Sequence, residues 1–115
     1  MRLLISALTA LMLFATPVAA GDMEDGFAAV RAGDYQKAFR IWKPLAEQGD
    51  AEAQYNLSLM YRKGKGIPED DAKAVHWYRK AAELGLAKAQ SNLGVRYANG
   101  EGVPEDDAKA VVRAL

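Results

Sequence analysis

The hydrophobic positions of this chain fall into short helical stretches separated by glycine. From Ala51 to Lys63 the residues Ala53, Leu57 and Tyr61 recur every four positions. That spacing keeps side chains on one face of an α-helix. Ser58 lies beside this stripe, where a small side chain lets a partner helix approach closely. Gly64 is placed to end the helix in a left-handed turn, and Gly66-Ile67-Pro68 turns the chain back. A second helix is predicted from Asp70 or Asp71 to Leu84, with Ala74, Trp77, Tyr78 and Ala81 as its buried stripe and Gly85 after it. Upstream, a loose lead-in from Gly21 precedes a short helix from Met23 to Arg31, whose apolar face is Phe27 and Val30. Asp34 then caps a helix from Tyr35 to Gln48. Pro44 lies inside that helix, where it removes a backbone donor and crowds the preceding turn. A kink or break is expected near Trp42, offset by the packing of Trp42 and Leu45. Downstream, helices are predicted from Lys88 to Ala98 and from near Asp106 to Leu115.

These elements repeat at an offset of 36 residues. Ala51, Ala53, Gln54, Asn56, Leu57 and Tyr61 recur as Ala87, Ala89, Gln90, Asn92, Leu93 and Tyr97. Gly64, Gly66 and Pro68 recur as Gly100, Gly102 and Pro104, and Glu69 to Val75 recurs unchanged as Glu105 to Val111. The same shift backwards sets Lys37, Ala38, Ala46, Glu47 and Gly49 opposite Lys73, Ala74, Ala82, Glu83 and Gly85, with Ile41-Trp42 in the place of Trp77-Tyr78. A period between about 20 and 50 residues marks a solenoid, in which each unit buries its apolar face against its neighbours.

The pattern A-x-A-Q-x-N-L, a Tyr, G-x-G-[IV]-P, D-x-x-K-A, W-Y, A-A and G resembles the Sel1-like repeat family, related to the tetratricopeptide repeat. The resemblance implies an all-α chain of two-helix repeats stacked as a right-handed α/α solenoid, acting as a protein-interaction scaffold. In bacteria such proteins often sit in the cell envelope. The chain divides into residues 1–20, an incomplete first repeat over 21–50, a complete repeat over 51–86 and a truncated last repeat over 87–115.

Residues 1–20 read as a secretory signal. Arg2 supplies a positive start, Leu3 to Phe14 an apolar run too short for the ~20 residues of a bilayer span, and Val18-Ala19-Ala20 a cleavage site. Cleavage after Ala20 predicts a periplasmic or secreted protein with no membrane span. It removes Arg2 from 15 basic groups and no acid, leaving 14 against 15 acidic, a near-neutral balance that speaks against nucleic-acid binding. The chain has no cysteine, so stability rests on helix packing. Some exported Sel1-like proteins carry a disulfide in each repeat, and this chain departs from them.

Candidate chemistry is sparse. The triplets Glu69-Asp70-Asp71 and Glu105-Asp106-Asp107 stand at helix starts, where carboxylates cap free amides, and they lack the glycine and distal glutamate of a calcium loop. His76 is the single histidine and falls on the solvated face with Arg79, Lys80 and Glu83. Ser58 and Ser91 are the two serines of the cleaved chain, and neither begins an S-x-x-K motif. Gly64-x-Gly66 lacks the lysine of a phosphate loop. Trp42, Trp77, Tyr61, Tyr78 and Tyr97 fall on the repeat stripes and read as core. No catalytic residue, metal site or cofactor is expected.

One face remains. Tyr55, Leu59 and Arg62 lie away from the stripe of the first complete A helix, and their counterparts are Ser91, Val95 and Ala98. In related solenoids the A helices line the concave surface. These positions differ between copies while the stripe does not, and Leu59 and Val95 are apolar where water is expected. They are the candidate contacts for a protein or peptide of the envelope, or else packing between adjacent A helices. Two other readings are a regulatory module restraining an envelope sensor or assembly machine, and a hydrolase of cell-wall peptides or β-lactams. The last helix lacks the Trp-Tyr pair, so it is expected to fray, with Val103, Val111 and Val112 as an adhesive end for a partner or a second copy.

Overall fold

The computed structural model describes residues 20–103. The signal segment and the final helix from Asp106 therefore lie outside the described residues. Within them the chain forms five α-helices and no strand: α1 Ala20–Arg31, α2 Tyr35–Glu47, α3 Ala51–Lys63, α4 Asp71–Glu83 and α5 Ala87–Asn99. Each helix packs on the next in sequence. The fold is an all-α repeat solenoid, with α1, α3 and α5 as A helices and α2 and α4 as B helices.

The starts of three helices follow from local chemistry. The carboxylates of Asp34, Asp50 and Asp70 accept hydrogen bonds from the backbone N–H of Lys37, Ala53 and Lys73 at 3.1, 2.8 and 3.0 Å. Each satisfies one of the amides that a helix start leaves without a partner. The acidic triplet at 69–71 is thus accounted for by Asp70. Gly64 ends α3 in the left-handed conformation, φ 66°.

The core is one cluster running the length of the described chain. Trp42, Leu45, Leu57, Tyr61, Trp77, Tyr78, Leu93 and Tyr97 are all buried in it. The aromatic residues on the repeat stripes are therefore core residues. Leu57, Ser58, Tyr78 and Leu93 are the largest side chains shut off almost completely from water.

Two features of the repeat have a structural cause that the letters alone do not show. The Gln54 amide Nε2 donates to the Ala46 carbonyl at 3.0 Å, and Gln90 Nε2 donates to the Ala82 carbonyl at 3.1 Å. Each glutamine ties the A helix of one repeat to the end of the preceding B helix. The second glycine of each loop rests on the B helix of the preceding repeat. A Cβ on Gly66 would stand 2.7 Å from the Tyr35 carbonyl carbon, and one on Gly102 2.4 Å from the Asp71 carbonyl oxygen. Tyr35 and Asp71 are the same repeat position, so the G-x-G spacing is a stacking contact.

Several expectations are corrected. Helix α1 begins at Ala20 rather than Met23, so the lead-in is helical. Its buried residues are Gly26 and Ala29, whereas Phe27 is 36% exposed. Helix α2 runs unbroken through Pro44. The proline ring is exposed and sits in the last turn, so one internal hydrogen bond is forgone while Trp42, Leu45 and Ala46 hold the helix to the core. Val103 is half-buried and packs on the core instead of standing open.

Candidate interaction surface

The A-helix face is not plain wet surface. Tyr55, Leu59 and Arg62 on α3 are half-buried, because α3 lies between neighbouring helices and buries seven of its residues. Their counterparts Ser91, Val95 and Ala98 on α5 are exposed. Tyr55 is committed to the junction between α3 and α5. Its ring packs edge-on to Tyr78 at 5.9 Å, Lys88 Nζ lies 4.7 Å above it, and its hydroxyl accepts from Asn92 Nδ2 at 3.4 Å. An exposed ion pair, Lys88 Nζ to Glu52 Oε2 at 2.7 Å, crosses the same junction.

Behind this junction lies a group of polar atoms that sequence reading missed. Tyr78 is fully buried and its hydroxyl has no hydrogen-bond partner. Burial pushes its phenol above the ordinary value of 10.0, and the charges of Arg62 and Arg96 offset part of that rise. Arg96 is itself 4% exposed, with Nε 3.7 Å from Glu101 Oε2. It stands where the preceding repeat has Met60, and the apolar match in that copy was the available signal.

The next junction, between α1 and α3, has a different character. It is an open groove of about 290 Å³, with Trp42 of α2 beneath, Phe27 and Val30 on one wall and Asn56, Leu59 and Met60 on the other. Lys63 and Lys65 stand at its end. Aligning α1 on α3 through the small buried residues Gly26 and Ser58 puts Phe27 in register with Leu59, and hence with Val95. One apolar residue per A helix thus recurs along this face, 36% exposed in Phe27 and 45% in Val95, with Leu59 half-buried between them.

The other candidates remain bland. His76 is exposed and stacks edge-on against Trp77 at 5.1 Å. Among the described residues no three His, Cys, Asp or Glu side chains come together as a metal cluster. No described helix is long and apolar enough to cross a membrane.

Comparison with known proteins agrees with this architecture. The family model described as Sel1 repeat matches residues 19–50, 51–86 and 87–112. The chain is similar to a Sel1 repeat protein from Oxalobacter formigenes, 34% identical with a TM-score of 0.74 over 79% of this chain and 37% of that one. It is also similar to c5321, a protective antigen of uropathogenic Escherichia coli displaying an SLR fold, 41% identical with a TM-score of 0.76 over 80% of this chain and 21% of that one. Among curated proteins, DAP3-binding cell death enhancer 1 from Rattus norvegicus is 40% identical over 50 residues, 44% of this chain. The chain spans about a tenth of that rat protein's length.

Proposed function

The chain belongs to the Sel1 repeat family, and on that footing we propose that it is a non-catalytic interaction module, exported, that binds a protein or peptide of the cell envelope along the faces of α1, α3 and α5. The observation that carries the reading is the row Phe27, Leu59 and Val95. Exposed apolar side chains scattered singly need no explanation, but here an apolar side chain recurs at the same position of three successive A helices as a periodic strip, exposed in Phe27 and Val95 and half-buried in Leu59. Tyr55, Arg62, Ser91 and Ala98 flank that strip and give it a different polarity at each repeat. Export is supported by Arg2, the apolar run Leu3 to Phe14 and the small residues Val18-Ala19-Ala20.

Chemical crosslinking in the envelope, with the wild-type chain and a Leu59→Asp/Val95→Asp variant as baits, tests the surface. A partner captured by the first and lost by the second, at equal helicity, supports the reading. Equal capture by both removes it. Turnover of a cell-wall peptide or β-lactam by the purified chain would favour the hydrolase instead. Export is tested by the intact mass of envelope-recovered protein, which should begin at Gly21. A mass retaining Met1 would remove that part.

A further inference from the structure

The groove between α1 and α3 combines an apolar floor, one unanswered donor and a basic end. The floor is Trp42, flanked by Leu59 and Met60 on the α3 wall. The donor is Asn56, which lines the groove, is 8% exposed, and has an Nδ2 without a hydrogen-bond partner. Its counterpart Asn92 is satisfied, donating to the Lys88 carbonyl at 2.9 Å and to the Tyr55 hydroxyl at 3.4 Å. The alignment of Gly26 with Ser58 puts Met23 where Tyr55 stands, and a thioether chain carries no hydroxyl. The first junction therefore keeps open a donor that the second one uses internally. The basic end is Lys63 and Lys65, both exposed, with Lys65 Nζ 5.3 Å over the Tyr35 ring. Among the described residues no Asp or Glu lines the groove.

We propose that this groove takes an extended peptide segment of the partner, with one Leu- or Phe-like side chain on Trp42 and Met60, a backbone carbonyl accepting from Asn56 Nδ2, and an adjacent Asp or Glu facing Lys63 and Lys65. This rests on the interaction-module reading and names the ligand of its first junction. The groove's volume, about 290 Å³, lies at the lower limit of the roughly 300–1,000 Å³ of small-molecule pockets. That suits one side chain with its backbone rather than a whole metabolite. An unmade buried donor favours a ligand that supplies an oxygen over one that is apolar throughout.

The test is an array of blocked heptapeptides, their central residue varied and their flanks acidic, neutral or basic, titrated against the full chain. Peptides centred on Leu or Phe with acidic flanks should bind best. Lys63→Glu/Lys65→Glu should weaken them about tenfold at low salt, as two exposed ion pairs allow, and favour the basic-flanked set. Asn56→Ala should weaken all Leu- and Phe-centred peptides several-fold without changing the flank preference or the melting temperature. His76→Ala, on the exposed face of α4 and away from the A helices, should leave affinity unchanged. Indifference to flank charge overturns the proposal. So does binding that Val95→Asp abolishes and the lysine reversal spares, which would keep the interaction reading and move the ligand to the second junction. Absence of binding by any peptide also overturns it, while the crosslinking result decides the broader reading separately. A dimer in sedimentation that the lysine reversal dissolves would identify a second copy as the occupant.

Discussion

Gly26→Ala offers the sharpest test of how the A helices meet the B helices. The substitution puts a methyl group in the middle of α1, where alanine is favoured over glycine by about 1 kcal/mol. On propensity alone the variant is more stable. The structure reverses the sign. The added Cβ would stand 2.1 Å from Trp42 Nε1 and 2.3 Å from Cε2. Trp42 is 3% exposed, packs edge-on to Phe27 at 5.1 Å and donates from Nε1 to the Met23 carbonyl at 3.4 Å. To reach ordinary contact the indole or the whole of α1 must shift by more than an ångström. Overpacking costs about 1–3 kcal/mol, the lost hydrogen bond about 1, and the aromatic pair about 0.5–1.5. Net of propensity, a loss of about 2–4 kcal/mol is expected. Urea and thermal melts should show it, with a fall in Tm of at least about 8 °C. Ala28→Gly, exposed on the same helix, measures the propensity term by itself. In Gly26→Ala/Trp42→Leu the two losses should be less than additive, because the smaller side chain vacates the collision. A Gly26→Ala chain that melts at or above wild type would show that α1 yields freely, and the close crossing would then have no energetic weight.

Leu57→Ala should cost roughly 2–5 kcal/mol, since Leu57 is fully buried, while His76→Ala on the exposed face should leave the melt almost unchanged; the reverse order would overturn the assignment of helix faces. Gln54→Ala removes the tie to the Ala46 carbonyl and should destabilise by about 1 kcal/mol or more, with amide exchange rising first at the α2–α3 junction; unchanged exchange there would show the tie is idle. Tyr78→Phe deletes a buried hydroxyl without a partner and should be neutral or stabilising at pH 7. Because burial raises the folded-state pKa of Tyr78 above 10.0, its contribution is complete below pH 10 and is lost as pH climbs beyond it. The phenylalanine variant should therefore keep its Tm further into the alkaline range than wild type; identical alkaline profiles would refute the sign.

Most of the helical framework was legible because its signals are local. Asp34 and Asp70 announce helix starts, Gly64 announces an end, and the recurrence of Ala53, Leu57 and Tyr61 fixes a buried stripe. Where the sequence misled, a longer-range fact decided. Phe27 looked like core because α1 was read without its alignment to α3. The α1–α2 connection has three residues where α3–α4 has seven, so the repeat register there is four residues shorter than the 36-residue offset. Only the crossing at Gly26 restores it. Pro44 looked disruptive because a proline's cost is set by what its ring and the missing bond face. Here they face water, and the buried residues on the other side of the turn keep the helix whole.

The interaction surface was half legible for a related reason. Comparing copies finds the positions that differ, such as Tyr55 against Ser91, and Met60 against Arg96. It does not say what those differences face. In the structure they fall at junctions between A helices. At one junction Tyr55 fills the space and holds Asn92, with Arg96 buried nearby. At the other, Met60 lines an apolar groove with Asn56 unanswered. The stripe residues and the glutamine ties maintain the stack, so the junction residues can change without loss of the fold. A solenoid of this kind separates the residues that build it from those that give each junction its chemistry. Substitutions at 56, 59, 91 and 95 should therefore alter binding more than stability, and substitutions at 53, 57 and 61 the reverse.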